Sequence, residues 1–240
     1  VGIAPAYFLN GISFLAVIVS VYLMTLPKIE HTEDHPPFRR QLLEGFEFVR
    51  VTPLVSISLT LIAILTIFTW PVSTLFAVFA HDIFKRGEIG FGFLTSAFGL
   101  GAMIGAFGFH TLYHRITRKD RLLVVCIIMT VISVGIFTLW HLFPLALLTL
   151  FVSGWSVATM IGTLNTVVQE VVPDHLRGRI LSYYSFVLVG GMPLGALLAS
   201  IGVGVIGAPM TIILCMVAFL LVSFSILSTT KHQFLAKLMR

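Results

Sequence analysis

Long apolar runs, broken by short polar stretches, dominate the chain. Runs near the length of a bilayer crossing recur at roughly 4–26, 54–80, 89–113, 122–140, 145–172, 180–207 and 208–228. About 20 apolar residues in a helix span the hydrocarbon of a membrane. A helix also closes its backbone hydrogen bonds within itself, which hydrocarbon demands. Alternation of polar and apolar positions, the mark of a membrane barrel, is not the pattern here. The runs therefore predict an all-α polytopic membrane bundle of seven transmembrane helices. The longest polar break, 27–53, has a different periodicity in its second part. Phe38, Leu42, Leu43, Phe46 and Val49 recur at helical spacing, while Arg39, Arg40, Glu44, Glu47 and Arg50 fall mostly on other faces. That is the pattern of an amphipathic helix lying on a membrane surface.

Composition agrees with this solvent. Of 240 residues, 58% are hydrophobic and 10% charged, with a mean hydropathy of +1.03. A soluble domain carries about 25% charged residues. The formal charge of +5 does not point to nucleic acid, because the basic residues cluster between apolar runs and do not interleave with aromatics on a polar surface. With seven crossings, Lys85 and Arg86 fall on one side and the other 13 of the 15 basic residues on the opposite side. The positive-inside rule makes that richer side cytoplasmic. The 27–53 stretch and the C-terminus are then inside, and Val1 starts outside. Cys126 and Cys215 sit in apolar runs as small hydrophobes. No metal spacing, phosphate-cradling loop or Ser/His/Asp set is present. Neither an enzyme nor a cofactor is expected. Glu30, His31, Glu33, Asp34 and His35 in the linker read as a solvated stretch.

Candidate functional positions are neutral, since no span has an acidic or basic residue near its centre. Thr66, Thr69, Trp70 and Ser73 share a face beside Pro71, where a kink is expected. Trp155, Thr159, Gly162, Thr166 and Gln169 form another, with Asn165 beside it. Tyr183 and Tyr184 open the sixth run, and Gly190, Gly191 and Pro193 predict a break in it. From these, Thr66, Thr69, Trp70, Ser73, Trp155, Thr159, Asn165, Gln169 and Tyr184 are candidate substrate-path residues. Small residues let helices approach closely, so Gly99, Gly101, Gly105, Gly191 and Gly195 are packing or gating candidates. Glu170 lies one turn inside a helix end, where Arg177 or Arg179 can pair with it. Pro173 ends its helix, and Gly178 reads as a tight turn back into the membrane.

One span, an amphipathic linker and six more spans resemble helices 6 to 12 of a major facilitator superfamily transporter. The likeness is closest to the bacterial branch of enterobactin-exporter-like and macrolide-efflux-like proteins, the transmembrane secretion effectors. It is carried by Phe8, Leu9, Asn10, Gly11 and Ile12; by Leu42, Leu43, Glu44 and Gly45 with Thr52 and Pro53; by Phe98 to Ala102; and by Pro173, Asp174, His175, Leu176, Arg177, Gly178 and Arg179. Arg115, Arg118 and Lys119 stand in a short loop that is similar to the superfamily's cytoplasmic signature. His114 stands there in place of its Asp and Thr117 in place of its Gly. The resemblance implies that 1–26 is the last helix of an N-terminal half and 27–53 a cytoplasmic linker. It further implies that 54–230 is the six-helix C-terminal half and 231–240 a cytoplasmic tail. It implies a fragment whose partners are the lipid bilayer, the missing N-terminal half and a small-molecule substrate, with no nucleic acid. The implied function is a secondary active exporter of small amphipathic molecules, siderophore or drug type, working by alternating access in the bacterial inner membrane. In that fold, the glycine faces of the third and sixth runs border the other half.

The alternative is a seven-helix receptor or signalling module, which fits the span count and the outside N-terminus. Against it, the outside loops are very short, as at His141-Leu142-Phe143-Pro144, and no receptor-like helix-end signature is present. The topology is open to a direct check. Single cysteines placed at Glu33 and Gln233 should resist a membrane-impermeant thiol reagent in intact cells and react after permeabilisation; reaction of either from outside would reverse the assignment.

Overall fold

A computed structural model describes residues 3–24, 38–116 and 118–229. The linker residues 27–37, Thr117 and the tail 231–240 lie outside the described residues, as do the side chains of Phe38 through Gln41 and of Phe109 through Arg115. The chain divides into two units, Val1–Pro37 and Phe38–Arg240. The first contains α1 (Ile3–Tyr22), whose described side chains are all exposed.

The second unit starts with α2 (Phe38–Val51), the amphipathic helix that the spacing predicts. Five helices of membrane length follow a broken one. α3 (Pro53–Thr74) begins with Pro53 in its first turn, where a missing N–H costs no helical bond. It continues through the short α4 (Phe76–Val78) into a π-helical turn, Phe79–Ile83. Then come α5 (Gly87–Arg115), α6 (Lys119–Leu139), α7 (Phe143–Val171), α8 (Asp174–Ile206) and α9 (Ala208–Thr229). Six of these stretches are long and apolar enough to cross a membrane, and α1 is a shorter apolar helix. The all-α polytopic bundle thus stands.

Two local expectations do not hold. The chain does not turn at Gly178, which lies inside α8; the reversal is made by Val172 and Pro173, with α8 starting at Asp174. Nor does α8 break at Gly190, Gly191 and Pro193. Neighbouring helices hold a membrane helix together across such residues. A positive φ is used where α8 meets α9, at Gly207 (φ 80°), a conformation that glycine adopts without a Cβ clash.

Packing runs through two close pairs, α5 with α7 and α3 with α8, while α6 packs on α7 and α9. Glycine makes both pairs possible. A Cβ at Gly101 would overlap the Phe151 carbonyl, one at Gly105 would lie 2.6 Å from the Trp155 carbonyl oxygen, and one at Gly154 of α7 would overlap the Phe98 carbonyl. On the other pair, a Cβ at Gly191 would overlap the Thr66 side chain, and one at Gly195 would lie 2.8 Å from the Ile67 oxygen. The close approach of Gly101 and Gly105 is thus made to α7 of the same bundle, not to a separate half. Gly99 has open space around it.

The apolar core has two parts. One gathers Leu54, Ile62, Leu65, Leu123, Leu164 and Ile180 with their neighbours. The other gathers Phe76, Phe79, Leu94, Phe137, Leu150 and Ile212, with the Phe79 and Phe137 rings 4.7 Å apart. In their most apolar stretches, α3 and α6 are 50% buried, while α5 is 22% and α8 17% buried. Those two helices carry the most unused apolar surface.

Overpacking at the glycine seams has a clear expected effect. Gly105→Leu puts four carbons against the α7 backbone, and overpacking of this kind costs about 1–3 kcal/mol. Its melting temperature in detergent and its yield should fall, whereas Gly99→Ala should leave both unchanged.

Candidate functional site

α3, α5, α7 and α8 meet around a cavity of 300 Å³. Thr66, Thr69, Trp70 and Ser73 line it from α3, where one helical stripe presents all four. Phe98 and Ala102 face it from α5, Val157, Ala158 and Ile161 from α7, and Leu188 and Met192 from α8. No lining residue is charged. The four α3 residues named by the sequence are therefore brought to one wall.

Their hydroxyls are already donors. Thr66 Oγ1 donates to the Ile62 and Ala63 carbonyls at 3.0 and 3.1 Å, Thr69 Oγ1 to Leu65 at 2.7 Å, and Ser73 Oγ to Trp70 at 2.9 Å. A hydroxyl keeps acceptor lone pairs after donating. This wall can thus accept hydrogen bonds and offer the indole face of Trp70, which is 36% exposed. Pro71 has no N–H to give the carbonyl four residues back, so Ile67 loses that helical partner. Gly195 of α8 lies against this same carbonyl.

The α7 candidates divide. Thr159 is fully buried and donates to the Trp155 carbonyl at 2.8 Å; Trp155 packs half-buried against the first core cluster. Neither lines the cavity. Asn165, Gln169 and Tyr184 form a second group: Gln169 Nε2 donates to Asn165 Oδ1, and Tyr184 Oη donates to the Ile161 carbonyl at 3.0 Å. Ile161 joins the two groups, since its side chain lines the cavity and its carbonyl holds Tyr184. Ala158, Ile161, Asn165 and Gln169 run along one face of α7 by helical spacing.

The charged end of the bundle is organised differently from the sequence reading. Glu170 pairs with Lys119 at 2.8 Å, tying the start of α6 to the end of α7; it does not pair with Arg177 or Arg179. Arg177 bonds Asp174 at 2.8 Å within the first turn of α8. Arg118 is exposed, as are Pro173 and Gly178. Arg115 ends α5, and its side chain lies outside the described residues. Arg179 bonds Glu44 of α2 at 2.6 Å. One turn on, Tyr183 Oη donates to the Leu42 carbonyl at 2.6 Å, and Gly45 lets the Tyr183 ring sit against the α2 backbone. Glu44, Gly45 and Tyr183 were not among the candidates for this role. Periodicity within one helix carries no sign of a partner 135 residues away.

Comparison with known proteins matches residues 1–237 to the family model described as transmembrane secretion effector. Among curated proteins, enterobactin exporters EntS from Escherichia coli O81 (strain ED1a) and O127:H6 (strain E2348/69) are each 30% identical over 199 residues. The match covers 83% of this chain and 46% of each relative. The chain spans about half the length of the curated relatives it matches.

The α2 attachment makes its own prediction. Net hydrogen bonds contribute about 0.5–1.5 kcal/mol each, so loss of two should raise the population of released α2 about 5- to 150-fold. Trypsin cleavage at the exposed Arg50 should accelerate accordingly in the double variant Glu44→Ala/Tyr183→Phe, and unchanged cleavage would show that the contacts do not hold α2.

Proposed function

We propose that this chain, which belongs to the transmembrane secretion effector family of the major facilitator superfamily, forms one wall of the substrate path of an exporter. The family consists of transporters, so neither an enzymatic nor a receptor reading is retained. The proposed cargo is a small amphipathic molecule of siderophore or drug type, moved by alternating access across the bacterial inner membrane. One observation carries the reading: the cavity where α3, α5, α7 and α8 meet is apolar and aromatic, with hydroxyl acceptors and no charged lining residue. Such a wall suits the uncharged, ring-bearing part of a ligand. Any anionic or cationic part of the cargo is then held elsewhere.

The unused apolar surface of α5 and α8 supports a second bundle packed on this one, with the path between them. Both helices contribute to the cavity wall while remaining the least buried of the six. The stripe Ile161, Asn165, Gln169 continues from the cavity towards the basic end of the bundle. In this reading that end faces the cytoplasm, and the stripe is its entry track.

The test is efflux from cells that make each variant at equal membrane levels. An aromatic contact contributes about 0.5–1.5 kcal/mol beyond its area, or about 2- to 12-fold in affinity. Trp70→Ala should raise the apparent KM for an aromatic cargo by that factor or more. Trp140→Ala, exposed and outside the cavity, should change nothing. Equal efflux by both variants would remove the cavity from the path.

A further inference from the structure

A larger concavity lies away from this cavity, where α2 rests beside the start of α8. It has a volume of 820 Å³. Leu42, Phe46 and Val49 of α2 line one wall, and Tyr183, Phe186 and Val187 of α8 the other. Phe46 and Phe186 are 61% and 75% exposed. The polar groups on its walls are already engaged: Arg179 by Glu44, Ser182 by the Gly178 carbonyl, and Tyr183 by the Leu42 carbonyl. The groove therefore offers a polar ligand little and an apolar chain a continuous surface.

Charge selects what sits at its mouth. Arg50 follows Phe46 by four residues, which puts it over the same side of α2 one turn on. An exposed arginine thus flanks the apolar stripe of an amphipathic helix, the arrangement by which such helices meet anionic membrane surfaces. α2 carries three arginines against two glutamates, and one of those glutamates, Glu44, is bonded to Arg179. This end of the bundle is also the one that carries Arg118, Lys119, Arg177 and Arg179.

We propose that the groove between α2 and α8 binds an acyl chain of an anionic phospholipid from the bilayer, with Arg50 drawing its headgroup. The site is separate from the substrate cavity and does not depend on the transport reading. A bound chain would fill the space beneath α2 and complete its docking on α8.

The test uses the whole purified protein in nanodiscs of phosphatidylethanolamine containing a trace of phosphatidylglycerol with a photoactivatable acyl chain. Phosphatidylcholine with the same chain is the zwitterionic control. After irradiation, adducts are mapped by peptide mass spectrometry. The expected result is adducts concentrated on the peptides holding residues 42–49 and 182–187, several-fold richer with phosphatidylglycerol than with phosphatidylcholine. Arg50→Gln, a surface change, should cut the phosphatidylglycerol adducts about fivefold, and Phe46→Trp, which fills the groove, should reduce both lipids. Equal labelling by the two lipids would overturn the anionic recognition. Adducts spread evenly over exposed positions such as Phe107, Ile132 and Leu221 would mean ordinary boundary lipid and overturn the site. A groove that takes no label in the intact protein would mean that another protein segment occupies it, which also overturns the proposal.

Discussion

Backbone-to-backbone contact at glycine holds this bundle in its shape. In hydrocarbon, helices gain nothing by hiding apolar side chains from one another, so association rests on close packing. Gly101, Gly105 and Gly154 bring α5 onto α7, and Gly191 and Gly195 bring α8 onto α3. The cavity lies where these two pairs face each other, and its lining comes from all four helices. A methyl group at any of these glycines would separate the helices that shape it. The site is thus a by-product of two seams, and its dimensions are set by backbones more than by the residues that point into it.

Polar chemistry is divided by depth in the same way. Inside the spans, the buried hydroxyls of Thr130 and Ser223 have no partner among the described residues, whereas Thr66, Thr69, Thr138 and Thr163 satisfy theirs on the preceding turn of their own helix. That costs no partner across the bundle and leaves the interior neutral. Ion pairs across elements appear at the bundle end, at Lys119 with Glu170 and Arg179 with Glu44. Both pairs are partly exposed, so each adds little to stability on its own. Their value is positional: one fixes the start of α6 beside the end of α7, the other fixes α2 on α8.

How much of this could be read from the chain depended on distance along it. The helices and α2 were legible because apolar length and i, i+4 spacing are local signals. The Thr66 to Ser73 wall was legible for the same reason, since one stripe of one helix contains it. The Trp155 and Thr159 face was not, because a wheel shows which residues share a side but not which neighbour that side meets. The glycines of α5 announced a close approach, but the resemblance assigned that face to the other half; Gly101 and Gly105 meet α7 instead. Pro193 read as a break, yet the packing around α8 carries the helix through. Leu42 to Gly45 and Arg177 to Arg179 stood out as separate motifs, and only the fold shows that they touch.

Pro71 and Gly195 share one carbonyl in the cavity region. The proline leaves the Ile67 carbonyl without its helical donor, and the glycine on α8 lies against that same oxygen. A side chain at position 195 would strike Ile67, Trp70 and Pro71 together. An N–H at position 71 would offer the carbonyl its ordinary partner. The two positions, 124 residues apart in sequence, thus act on one carbonyl, and substitutions at them should be non-additive.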